Sequence, residues 1–130
     1  DYKLVSLNVS IMQPRTHIRW HVGFSEYSDY VTRHIYGINV PDFCSINTLD
    51  EVKQIKEKDF IYFQDINNHE AWNMSDNYRL VIIFDVTHKD YMPIIQKNIN
   101  NFQKNKNNKF DNPLENFNAN LGKQIYDNFH

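Results

Sequence analysis

The sequence predicts a mainly β fold, a jelly roll or sandwich of many short strands, and three features carry that prediction. Residues 1–92 hold a succession of short runs rich in β-branched and aromatic residues. Polar turn chemistry separates these runs. Helical spacing of apolar residues is confined to the stretch after Met92. With 130 residues, 41% of them hydrophobic and 15% aromatic, the chain suits one domain with one core.

Taken in order, residues 4–12 alternate apolar and polar positions, and 16–22 form a second such run. Residues 31–40 form a third, closed by Pro41; 43–47 are short; 60–63 are strongly apolar and aromatic; 69–73 are brief. Residues 78–86 read as the clearest strand and are apolar on both faces, which suits a central position. The breaks are Gln13, Pro14 and Arg15, then 25–29, 65–68 and 75–77. Gly (3) and Pro (4) are scarce, so Asn and Asp serve the turns instead. Residues 48–58 fit either one or two helical turns or an exposed hairpin, and the hairpin is preferred. Residues 94–102 predict a short helix with Ile94, Ile95, Ile99 and Phe102 on one side. Residues 103–120 are Asn- and Lys-rich, and 121–129 suit a second short helix. The expected organisation is a β domain over 1–92 and an Asn/Lys-rich extension over 93–130, helical or partly disordered, that covers rather than catalyses.

Charge and composition exclude several classes. A net charge of −2 and a pI near 6.3 give no basic field for nucleic acid. The single cysteine, Cys44, excludes an internal disulfide and a Cys-rich metal site, and suits a reducing compartment. No apolar run approaches a membrane span, and no signal-peptide pattern opens the chain. The strand-like start at Asp1 suits a domain excised from a longer protein.

Six histidines are present, and His21 and His69 each lie in a strand-like run. Two imidazoles from different strands can converge on a divalent metal; equally, each can be a polar residue of core or surface. Arg79 opens the most apolar strand, where a buried guanidinium needs an anion. It suits bidentate binding of a carboxylate, or else faces water at the strand mouth, or pairs with Asp76 or Asp85. Arg33 poses the same question in the third strand, and Ser10 offers a hydroxyl donor.

These residues fall in four blocks. The first holds Ser10, Met12, Pro14, Thr16, His17, His21 and Gly23; the second Arg33, Gly37 and Pro41; the third Phe63, Asp65, His69, Glu70, Trp72 and Arg79; the last Asp85, Val86 and His88. In order and internal spacing they resemble the aspartyl/asparaginyl β-hydroxylase family over residues 4–90. The resemblance implies a double-stranded β-helix, cupin-like, that uses Fe(II) with 2-oxoglutarate as cosubstrate and dioxygen as oxidant. It implies His21 and His69 as metal ligands, with no carboxylate ligand, since Gly23 stands where related dioxygenases place Asp or Glu. It implies Arg79, helped by Ser10, on the distal carboxylate of 2-oxoglutarate, Arg33 near its chelating end, and Met12 lining that pocket. The implied reaction is β-hydroxylation of Asp or Asn in a peptide or protein. A free amino acid or other small molecule is the first alternative, and a non-catalytic binding module that keeps the fold is the second. Three departures bear on the cosubstrate grip and substrate preference: Ile35 replaces a family histidine, with His34 one place earlier; Gln64 and Asp65 replace an Asp pair; and the stretch 24–32 is longer than usual.

Overall fold

The computed structural model describes residues 1–23 and 25–109, with side chains through residue 106. Eight strands run β1 (Tyr2–Met12), β2 (Thr16–His21), β3 (Thr32–Asn39), β4 (Cys44–Thr48), β5 (Val52–Gln54), β6 (Phe60–Gln64), β7 (His69–Asn73) and β8 (Arg79–His88). One helix, α1 (Met92–Lys109), follows. The strands make two antiparallel four-stranded sheets, ordered β1-β8-β3-β6 and β2-β7-β4-β5. This is jelly-roll topology, in agreement with the fold class read from the sequence.

The expected strands are present with ends moved by a few residues, and β8 is interior to its sheet. Residues 48–58 hold a hairpin, since β5 pairs back on β4 across a turn closed by Thr48 N–H donating to the Glu51 carbonyl. The core lies between the sheets. Met12, Ile35, Phe63 and Val81 enter it from one, Cys44, Ile46 and Ala71 from the other.

Three irregularities re-aim side chains. An extra residue in β1 between Leu4 and Ser6 brings Ser6 opposite Asp85. Another in β2 falls between Ile18 and His21, so Ile18 faces Ala71 while His21 faces His69. A third interrupts the β3–β8 ladder between Gly37 and Asn39. At Gly37 a Cβ would sit 2.1 Å from the Lys56 carbonyl oxygen, so only glycine lets that segment cross.

Asn73 ties the two turns at one end of the barrel. Its Nδ2 donates to the carbonyls of Met12, Gln13 and Asn77, and its Oδ1 accepts from the Ser75 backbone N–H and hydroxyl. Loss of the amide would leave these buried groups unsatisfied. Asn73→Ala is therefore expected to lower stability by about 2 kcal/mol or more, read from the urea midpoint.

After β8 a 3-10 turn, Lys89–Tyr91, leads into α1, which outruns the expected 94–102 at both ends. Of the apolar residues expected on one side, Ile95 is buried while Ile94 and Phe102 stay exposed. Asn98 Nδ2 donates to the Glu26 carbonyl and ties the helix to the β2–β3 loop. No helix among the described residues is long and apolar enough to cross a membrane. The second short helix expected over 121–129 lies outside the described residues.

Candidate active site

The bulge in β2 decides the site. In unbroken pairing Trp20 would oppose His69; with one residue inserted, His21 does. The two imidazoles lie with ring centroids 4.2 Å apart and planes at 60°. Each Nδ1 is 2.7 Å from a backbone carbonyl two residues earlier, Arg19 for His21 and Asn67 for His69. A carbonyl only accepts, so each Nδ1 carries the proton and each ring presents its Nε2 lone pair. That is the tautomer a metal ligand needs. Burial pushes the His69 pKa down against the opposing Asn67 hydrogen bond, and the His21 ring lowers it further. His69 is thereby held neutral.

Gly23 supplies no ligand, and its surroundings explain why. A Cβ there would lie 2.1 Å from Asp65 Oδ2, so the buried Asp65 carboxylate fills the space a side chain would need. Among the described residues no group of three or more His, Cys, Asp or Glu side chains gathers as a metal cluster.

Arg79 enters from β8 on the other side of the same cavity. This space, about 30 Å³, is lined by His21, His69, Ser10, Arg33 and Arg79 among apolar walls of Ile18, Ile35, Ile46, Phe63 and Ile83. The Arg79 side chain is 2% exposed, so it does not face water at a strand mouth. Nor does it pair with either nearby aspartate considered from sequence. Asp76 is bound by Arg15 at 2.8 Å, and Asp85 by Arg33. Its Nε and Nη1 atoms are buried with no hydrogen-bond partner among the described residues. Burial pushes the Arg79 pKa down to about 10, which leaves it a cation at neutral pH. Burial also pushes the nearby Cys44 thiol up, against the pull of the Arg79 charge, so that thiol offers no counter-charge. The arrangement sets two imidazoles and a buried cation around one space.

Arg33 reaches the cavity wall with its guanidinium already held. Its Nε and Nη2 donate to the two oxygens of Asp85 at 2.9 and 3.0 Å, and its Nη1 lies 2.7 Å from Asp65 Oδ1. Ser6 donates to Asp85 Oδ2 and Ser28 to Asp65 Oδ2. Met12, expected to line the pocket, packs in the core across the ladder from Arg79, and the cavity wall is formed without it. Ile35 sits on the wall where the family histidine was expected, whereas His34 points to the opposite face and stacks on Phe84 at 4.9 Å.

The remaining motif residues buttress β2 and β7 from outside. His17 stacks on Trp72 at 3.5 Å and holds Glu70 at 2.7 Å, and Asn47 also donates to Glu70. Burial raises the Glu70 pKa, but hydrogen bonds from Trp72, His17 and Asn47 outweigh it and hold the carboxyl below its usual range. Asn73 and the Arg33–Asp85 clamp are the residues that sequence reasoning missed as organisers. Nothing in spacing marks the first. The two aspartates that satisfy Arg33 come from distant β8 and the β6–β7 turn.

A sequence profile of the aspartyl/asparaginyl β-hydroxylases matches residues 2–89. The aspartyl/asparaginyl β-hydroxylases of Homo sapiens and Mus musculus are 32% and 31% identical to the chain over 88 residues, 67% of its length. The chain spans only 11% and 12% of those relatives. Among solved structures, an oxidoreductase of the 2OG-Fe(II) oxygenase family from Burkholderia pseudomallei superposes with a TM-score of 0.54 at 14% identity, covering 67% of this chain and 45% of that one. A non-heme monooxygenase solved as the ThoJ-Ni complex gives 0.53 at 14% identity, covering 67% and 44%. A Klebsiella pneumoniae protein with a double-stranded β-helix domain gives 0.50 at 14%, covering 64% and 67%. At these identities the structures establish the fold, a double-stranded β-helix.

Proposed function

This chain belongs to the aspartyl/asparaginyl β-hydroxylase family, and from that premise we propose that it is an Fe(II)- and 2-oxoglutarate-dependent hydroxylase. The observation that carries the reading is Arg79, a buried cation without a hydrogen-bonded anion on two of its nitrogens, sharing one cavity with the paired imidazoles. A protein that only needed the fold would gain by replacing such a group with an apolar one.

The donor set fits the implied groups. His21 and His69 would hold iron through Nε2, with the carbonyls of Arg19 and Asn67 fixing both tautomers. Iron(II) with 2-oxoglutarate and dioxygen supplies the oxidising equivalent that places a hydroxyl on carbon, 2-oxoglutarate being released as succinate and carbon dioxide. Arg79 would take the far carboxylate of 2-oxoglutarate, with Ser10 beside it on the wall. Arg33, pinned by Asp65 and Asp85, would offer a fixed positive wall toward the chelating end. The isoleucines and Phe63 keep water out of the cavity, which strengthens every polar contact inside it. A volume of about 30 Å³ admits about one water, so a dicarboxylate must part these side chains on entry.

The proposed substrate is an Asp or Asn residue of a peptide or protein, hydroxylated at the β-carbon, with a free amino acid or other small molecule as the alternative. Succinate release with iron(II), 2-oxoglutarate and Asp- or Asn-containing peptides tests this. Turnover is expected in the wild type and should fall to background in His69→Ala. A wild type that binds metal yet forms no succinate with any peptide or amino acid would instead mark a binding module.

A further inference from the structure

The alternation along β1 runs opposite to that of a sheet with one wet face. Ser6 and Ser10 point toward the core side, while Leu7, Val9 and Ile11 point outward and are 62, 67 and 62% exposed. The ladders set Val9, Ile82, Tyr36 and Phe60 side by side in a row that crosses β1, β8, β3 and β6. The next row runs from Leu7 through Phe84 and His34 to Tyr62. No Asp, Glu, Lys or Arg stands in either row. Thr32 and Gln64 beyond the second row, and Lys53 with its Nζ 5.7 Å from the centre of the Tyr62 ring, give the patch a polar rim.

Six outward residues of this sheet, Leu4, Leu7, Val9, Ile11, Phe60 and Tyr62, are each more than half exposed. At about 200 Å² for a large side chain, they leave roughly 800 Å² of mostly apolar surface bare, which is what each partner contributes to a stable dimer. Apolar surface of that extent on a β domain is normally covered. Two features favour a second copy as the cover. An uncharged apolar patch is self-complementary, so the same surface serves both partners about a two-fold axis and brings no like charges together. The β1 edge, in contrast, is poorly suited to pairing with another chain, because the bulge between Leu4 and Ser6 bends it. The face, and not the edge, is what a second copy can use.

We propose that two copies of the chain pack face to face through the outer side of the β1-β8-β3-β6 sheet, related by a two-fold axis. Side chains of the two faces interdigitate as in a β-sandwich, with the sheets about 10 Å apart. Ile82 and Tyr36, on the inner strands β8 and β3, lie at the centre of the contact, with Thr32 and Gln64 at its rim. The proposal stands apart from the hydroxylase reading, since this face points away from the cavity.

Sedimentation of the 130-residue chain tests it. The wild type is expected to be dimeric at about 10 μM. Val9→Asp and, on the opposite edge of the face, Tyr62→Lys should each weaken the dimer on the order of tenfold or more. Both residues are more than half exposed, so neither change opens the core, and circular dichroism should stay that of the wild type. Leu49→Lys, an exposed leucine in the β4–β5 turn, should leave the dimer intact. A wild type that is monomeric at that concentration would overturn the proposal, the face then being covered within one chain or by a different partner. So would a dimer that survives either folded face variant, because a different surface would then hold it.

Discussion

Replacing Arg79 with methionine is expected to make the protein more stable and to cut 2-oxoglutarate-dependent turnover on the order of a hundredfold. The two effects share one cause. The folded protein keeps a guanidinium out of water with Nε and Nη1 unpartnered, and burial lowers its pKa to about 10. A lowered pKa on a base means that folding disfavours the charged form. Relative to an ordinary arginine, that corresponds to a cost on the order of 3 kcal/mol. The cost is fully present below the folded pKa. Above about 10, up to the ordinary range of an arginine, the unfolded chain binds more protons than the folded one, so wild-type stability rises with pH across that window. The stability gap between Arg79→Met and wild type should then narrow as pH passes 10. Thermal melts and succinate release, measured side by side, check both halves. A variant less stable than wild type would mean that Arg79 is held by the fold and not kept for a ligand.

The opposite sign is expected at the neighbouring arginine. Asp85→Ala should destabilise by roughly 3–5 kcal/mol, read from denaturant midpoints. Asp85 is fully buried and takes two donors from Arg33 and one from Ser6. Removing it leaves Arg33 in the interior with Asp65 as its remaining carboxylate. Against a total stability of about 5–15 kcal/mol for a typical domain, the loss threatens the fold itself. Two arginines on one cavity wall thus do different work. Arg33 is held by two carboxylates of the protein, whereas Nε and Nη1 of Arg79 have no hydrogen-bond partner among the described residues.

The contrast also marks how far the sequence could be read. The strands and their order followed from β-branched alternation and turn residues, because those are local signals. His21 and His69 were legible as a pair only through the four-block family resemblance. Simple alternation would have turned His21 away from the side that Ile18 occupies. The inserted residue in β2 reverses that, and a bulge leaves no period-two trace. His34 does not take the place of the family histidine, since no bulge separates His34 from Ile35 and the ladder keeps them on opposite faces. The partners of Arg33 and the contacts of Asn73 with Met12, Gln13 and Cys44 were hidden because they join residues far apart in sequence. Met12 shows the reverse limit, a motif residue whose place in the fold is core packing beside Arg79.

Calorimetric titration of 2-oxoglutarate into the chain, with and without a divalent metal such as Mn(II) standing in for iron, tests the central claim most directly. The account predicts binding that weakens by roughly tenfold or more when metal is withheld, when His21 or His69 becomes alanine, or when Arg79 becomes methionine. Binding that is indifferent to the metal and to both histidines, or undiminished in Arg79→Met, would contradict it.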